Sequence, residues 1–176
     1  DWILEIDNKS MTNRPDLWGH YGVARELAAI YGLELKALPE FETPVHAADY
    51  SVVIEAPEDC RRYIGAVYEG VENKPAPYWM QRRLWSVGQR PINQLVDITN
   101  YVMMATGQPT HGFDETHVHG GIIVRHARPG ETLELLDRTD LTLTEEDLVI
   151  CDERGPLALA GVMGGARDSI LPETHR

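Results

Sequence analysis

Cysteine is scarce in this chain, which has two, Cys60 and Cys151, among 176 residues. Two isolated thiols without ligand-like spacing exclude a disulfide scaffold and point to free thiols in a reducing compartment. Long apolar runs are missing as well. None approaches the roughly 20 residues that span a bilayer, which excludes a helical membrane anchor in the sequence at hand. There is neither a charged leader nor an initiator methionine, so the chain is expected to begin inside a longer protein. Its end, Leu171 to Arg176, has no helix stop or tail character and suggests a trimmed piece. Positive charge is short: 16 basic against 28 acidic residues leave a formal charge of −12. Phosphate neutralisation needs clustered Lys and Arg, so a broad duplex-binding surface is excluded, although Arg82, Arg83 and Arg90 supply local positive charge. The pair Arg61 and Arg62 reads as a solvated face.

The length suits one domain, large enough to bury roughly 70% of its unfolded surface without metal or disulfides. The central stretch runs from Arg90 to Asp114. Its spacing predicts a helix from about Gln94 to Thr106, capped by Asn93 and stopped by Gly107. Ile92, Leu95, Val96, Thr99, Val102 and Met103 recur at three- and four-residue intervals as the expected buried stripe, with Asp97, Asn100 and Tyr101 off its centre. Pro109 stiffens the exit, presenting His111 from a turn just after a helix end. From these residues alone, a structural hydrogen-bonding role remains open beside a functional one.

Before this stretch, residues 1 to 6 alternate weakly like a strand. Asn13 to Asp16 is expected to open a helix whose packed face carries Leu17, Tyr21, Ala24, Leu27, Ala28 and Tyr31, with Gly32 as its stop. Residues 38 to 49 read as a linker or loop. Ser51 to Glu55 and Arg62 to Glu69 are β-rich, joined by a turn at Pro57 to Asp59, and Tyr78 to Val87 reads as a short helix ended by Gly88. After the central helix, short strands are expected at 122–127, 132–136, 141–143, 148–151 and 157–160. The predicted fold class is α+β: a β-rich, mostly antiparallel core covered by a few helices.

The chemistry is sparse. His111, Asp114, His117 and His119 lie close in sequence, but their spacing fits neither a helical His pair nor a zinc knuckle, so no metal ligands are assigned. Without a nucleophile elbow or an activated cysteine, covalent catalysis lacks support, and water is the expected nucleophile of any hydrolysis. The glycines of Gly161 to Gly165 fit no phosphate loop. They suit a tight turn or close backbone approach to a ligand.

Four motifs, Arg90-Pro91-Ile92-Asn93, Val96-Asp97-Ile98-Thr99-Asn100-Tyr101-Val102, Gln108-Pro109-Thr110-His111-Gly112-Phe113-Asp114 and Leu159-Ala160-Gly161-Val162-Met163-Gly164-Gly165, together resemble the tRNA-editing domain of bacterial phenylalanyl-tRNA synthetase beta subunits. Asn13 to Asp16 and Gly22 to Ala28 resemble its lead-in. The resemblance implies a lead-in at 1–37, a linker at 38–49 and an editing-type domain from 50 to 176, truncated at its C-terminal end. It implies hydrolysis of tyrosine from mischarged tRNA(Phe), with a non-catalytic structural or tRNA-binding module as the alternative. Carried over, His111 and Asn100 would orient the hydrolytic water or hold the terminal ribose, and Arg90 and Pro109 would line the pocket. Gly161 and Gly164 would form a close-packed floor, with nearby backbone amides stabilising an oxyanion. The implied partners are the tRNA(Phe) 3′ end and the alpha subunit of an alpha2-beta2 assembly in the cytoplasm, without a membrane. ATP and magnesium would serve the whole synthetase, with no cofactor in this piece. Two departures stand out. Gly112 replaces a frequent alanine, and Arg138 stands where many of the family carry glycine, which puts the conformation of that loop in question. The acidic residue that recognises the tyrosine hydroxyl is expected beyond Arg176.

Overall fold

Local signals set the helices before any packing does. In the computed structural model, which describes residues 2–40, 50–167 and 169–176, the central helix spans Gln94–Thr106. Asn93 accepts a hydrogen bond from the Val96 amide, and Gly107 closes the helix in the left-handed conformation at φ 75°. A non-glycine residue resists that conformation because Cβ crowds the carbonyl. We label this helix α3; α1 is His20–Tyr31 and α2 is Tyr78–Ser86. All three lie in a first contact unit made of Asp1–Pro44 and Lys74–His111.

Several expectations for this unit are corrected. The opening helix begins later than its proline suggested. Pro15–Trp18 forms a separate 3-10 turn, and the extended Gly19 at φ −141° intervenes before α1. Both glycines here are tightly packed: a Cβ on Gly19 would stand 2.3 Å from the Gly107 amide nitrogen and one on Gly22 only 1.4 Å from the Asp16 carbonyl oxygen. The apolar face expected of α1 is largely uncovered, with Gly22 its one buried residue and Leu27 and Tyr31 exposed. The stripe expected on α3 is half-buried rather than buried, with Leu95, Val96, Thr99, Val102 and Met103 each partly covered. Ile92 is exposed, while Asp97 is the buried residue of that helix. Residues 2–6 form no strand. Of the linker reading, residues 41–49 lie outside the described residues. The core of the unit is small: Ala76, Met80 and Leu84, with Tyr101 packed against them.

The second unit, Val45–Asn73 with Gly112–Arg176, is built on strands β1 (Val52–Ile54), β2 (Ile122–His126), β3 (Thr132–Glu134), β4 (Asp140–Thr142), β5 (Leu148–Asp152), β6 (Gly155–Leu159) and β7 (Met163–Gly164). Five of them form one sheet in the order β1-β2-β5-β6-β7, and β3 and β4 form a hairpin of their own. Among the described residues only β1 with β2 is parallel, and every other pairing is antiparallel. The fold is therefore α+β with a mostly antiparallel sheet.

Alternation explains why the sheet buries residues on both faces. Val149 and Cys151 of β5 join Ala127, Leu133, Leu135 and Leu143 in one cluster. Ile150 joins Ile122, Val124, Leu157 and Ala158 in another. The strand expected at 62–69 does not form. Its Ile64 and Tyr68 are each 70% exposed, so alternation there has no ladder partner to act on. The glycine-rich stretch resolves into a turn and β7, a strand too short for periodicity to reveal.

Arg138 settles the loop whose conformation was in question. Its φ is 70°, the one positive value among the described non-glycine residues. The loop thus keeps the backbone shape that glycine would favour, with an arginine strained into it.

Candidate functional site

In the first unit the candidate residues gather along α3 and its flanks. The Asp97 side chain reaches back to accept a hydrogen bond from the Ile92 amide at 2.8 Å. This clasps the Arg90-Pro91-Ile92 turn to the start of α3 and holds the backbone that carries the exposed Arg90. Asp97 is 1% exposed, and its second carboxylate oxygen is buried without a hydrogen-bond partner. Asn100, one turn further, is partly exposed, and Pro109 and His111 follow the helix stop on exposed backbone. Although His111 is exposed by surface area, crowding by neighbouring atoms desolvates its imidazole and lowers its pKa below the ordinary 6.5. A neutral ring at physiological pH can accept a proton from water.

Tyr101 is fixed from another side. Its hydroxyl accepts a hydrogen bond from Arg83 Nη1, and its ring meets Trp79 edge-to-face at 5.5 Å. His20 Nδ1 lies 2.7 Å from the Met104 carbonyl oxygen, tying α1 to α3. Ahead of α1, Asp16 accepts from both Arg14 and Arg25, and Arg14 also bonds Glu26. Arg25 and Glu26 are therefore joined in one network.

In the second unit Asp114 is a structural peg. It is 2% exposed, accepts from the Thr116 amide and hydroxyl, and accepts from the Thr174 hydroxyl. Burial pushes its carboxyl upward, but the hydrogen bonds from Thr116 and Thr174 outweigh that and leave its pKa below the ordinary value. The tail is fastened further by Val71 N to the His175 carbonyl at 3.1 Å and by Asn73 Nδ2 to the Leu171 carbonyl at 2.6 Å. Sequence spacing alone could not reveal this role, because Thr174 is 60 positions from Asp114.

Gly161 lies in the turn between β6 and β7 at φ 70°, and a Cβ there would meet nothing within 4 Å. The positive φ of this turn is what favours glycine at the position. Gly164 is buried in β7, where it pairs with Ala158. Among the amides expected to serve an oxyanion, those of Val162 and Gly165 already donate to the Leu159 and Leu157 carbonyls. Such a hole would have to draw on other donors.

Neither thiol has a nucleophile's surroundings. Cys151 is buried, and desolvation pushes its thiol up to about 11; Cys60 Sγ faces the Arg62 carbonyl at 3.6 Å. A thiol nucleophile needs the opposite environment, electropositive and partly open. Among the described residues no group of three or more His, Cys, Asp and Glu is placed to hold a metal ion, and no helix is long and apolar enough to cross a membrane.

Comparison with known proteins places these motifs. The chain is 46% identical over 178 residues to the phenylalanine–tRNA ligase beta subunit of Solibacter usitatus (strain Ellin6076), a match covering 100% of the chain and 23% of that protein. It is 48% identical over 172 residues to that of Aquifex aeolicus (strain VF5), covering 98% of the chain and 22% of that protein. The chain thus spans less than a quarter of the length of these curated relatives. An N-terminal fragment of the phenylalanyl-tRNA synthetase beta-subunit from Pyrococcus horikoshii, solved by crystallography, aligns with a TM-score of 0.48 at 24% identity, over 96% of this chain and 52% of that one. The family model described as the B3/4 domain matches residues 59–176, more than half of the chain and all the strands from β2 to β7, and the chain accordingly belongs to the B3/4 domain family.

Proposed function

We propose that this chain is a segment of a phenylalanine–tRNA ligase beta subunit and that it hydrolyses tyrosine wrongly esterified to tRNA(Phe). The observation that carries the reading is likeness along the whole chain, at 46% and 48% identity, to proteins named phenylalanine–tRNA ligase beta subunit. In this reading residues 1–37 are the lead-in, 38–49 the linker and 50–176 the editing-type domain. ATP, magnesium and the alpha subunit belong to the whole ligase, which would act in the cytoplasm.

The chemical logic is that of a second sieve. A pocket shaped for phenylalanine discriminates weakly against an analogue that merely adds a hydroxyl, so the error is removed after attachment by a site that accepts the wrong product. In the hydrolysis, water attacks the ester carbonyl, its proton passes to a base, and the terminal ribose oxygen leaves. His111, with its lowered pKa, is the proposed base or water-orienting group. Asn100 would hold the water or the ribose, and Arg90, held by the Asp97 clasp, would steady the strand's phosphates. Pro109 would line the pocket beside them.

The test is deacylation of tyrosyl-tRNA(Phe), with phenylalanyl-tRNA(Phe) as control, by the complete ligase containing this segment. Selective clearance of tyrosine that falls by about 100-fold or more in His111→Ala is expected for the loss of a general base. Selective clearance at an unchanged rate in that variant would remove His111 from the mechanism. If tyrosine is not cleared at all, the segment is a structural or tRNA-binding module.

A further inference from the structure

Helix α2 buries Met80 and Leu84 and turns its aromatic residues outward: Tyr78, Trp79 and Trp85 are 72%, 51% and 53% exposed. Tyr78, Arg82 and Trp85 recur at i, i+4 and i+7 and so form one row on the outer face, with the Tyr78 and Trp85 rings edge to face at 6.5 Å. On the flank, the Arg83 guanidinium lies 5.3 Å from the Trp79 ring centre and 5.9 Å from that of Tyr101. A cleft of about 330 Å³ opens beside it, lined among others by His20, Arg83, Ser86 and Tyr101.

The charge pattern sets this face apart. From position 74 to 96 there is no Asp or Glu, while Lys74, Arg82, Arg83 and Arg90 fall within that run, in a chain of formal charge −12. An ordinary solvated helix intersperses acids with its cations, and an aliphatic docking groove would not carry two adjacent arginines between aromatic rings. Aromatic faces interleaved with arginine are what unpaired bases and their phosphates recognise, through stacking and charge neutralisation.

We propose that α2 is a stacking platform for a short single-stranded stretch of RNA, with Tyr78 and Trp85 stacking on base faces and Arg82 and Lys74 neutralising phosphates. The acidic remainder of the chain repels a polyanion, so the contact is short and confined to this helix and the residues just before it. That the strand is RNA rests on the proposed function; the surface itself does not depend on it.

The experiment is fluorescence anisotropy of a labelled, unstructured RNA of about ten nucleotides, within the site sizes of stacking grooves. The 176-residue chain is titrated against it, with an RNA duplex of equal length as control. Expected are preference for the single strand, a Kd raised about 5- to 100-fold in Trp85→Ala, and a salt slope of log Kd reduced by about 0.7 in Arg82→Gln. Both substituted positions are exposed, and circular dichroism checks that each variant is folded. No binding, equal binding of duplex, or unchanged affinity in both folded variants overturns the platform. Tyrosine clearance by the ligase is assayed separately. Clearance with no oligonucleotide binding removes the platform alone, and α2-dependent binding without clearance removes editing alone.

Discussion

Asp97 shows how much one side chain can decide. It is the buried residue of an otherwise half-exposed helix, and its bond to the Ile92 amide shapes the turn that carries Arg90. Asp97→Ala removes that bond, so stability should fall by about 0.5–1.5 kcal/mol in urea titrations. A loss below about 0.5 kcal/mol would mean that the turn holds without the clasp. Arg138 offers a change in the other direction. Left-handed backbone at a non-glycine residue costs about 1–2 kcal/mol, and glycine returns roughly 0.5–1 of that through unfolded-state entropy. The Arg138–Glu134 pair is exposed and contributes little. Arg138→Gly is therefore expected to stabilise the chain by about 0.5 kcal/mol, read as a higher denaturation midpoint. At Gly112 an alanine should be accommodated, since its Cβ would stand 3.4 Å from Ile170 Cδ1, close to ordinary contact.

At the scale of elements, close packing rests on a few positions without a side chain. A Cβ on Gly22 would overlap the Asp16 carbonyl, and relieving that overlap requires α1 to move away from its preceding turn. Gly22→Ala should cost about 1–3 kcal/mol or more, the range of an overpacked core, and thermal unfolding measures it. In the second unit, Arg125 and Glu131 form a two-pronged pair at 2.7 and 2.8 Å that also receives the Arg128 amide, so it fastens the turn between β2 and β3. Arg125 is 7% exposed. Removing one partner strands a buried charge, and Glu131→Gln is expected to cost about 3–5 kcal/mol. An effect under 1 kcal/mol would show the pair to be well solvated.

For the molecule as a whole, acid stability follows from the direction of the shifts. The pKa values of Asp114, Glu131 and Asp152 are lowered in the folded state. Their stabilisation is present above the unfolded values near 4 and is lost as pH falls through the lower folded ones. His111 also has a lowered pKa. For a histidine this means the unfolded chain binds the proton first, so stability begins to decline below about pH 6.5. Unfolding free energy measured from pH 8 to pH 3 should therefore show a shallow limb starting near 6.5 and a steep one below about 4.5. His111→Ala should abolish the shallow limb alone; if the limb persists, another group carries it.

How much of this was legible beforehand depends on the range of the interactions. Helix α3 could be read to the residue, because Asn93 and Gly107 act within a turn of its ends. The strands from β2 to β6 were legible to within a few residues, since alternation and turn chemistry are local. The α+β class followed from them. Tertiary structure alone decided which faces are buried: the expected stripe of α3 is half-buried while Asp97 is buried, and Leu27 and Tyr31 of α1 stayed exposed. It also decided that residues 62–69 find no ladder, that Gly161 serves a turn, and that Asp114 is a peg for a threonine 60 positions away. Periodicity records which residues can share a face; burial and long-range hydrogen bonds depend on what the rest of the chain brings against that face, and no local pattern encodes it.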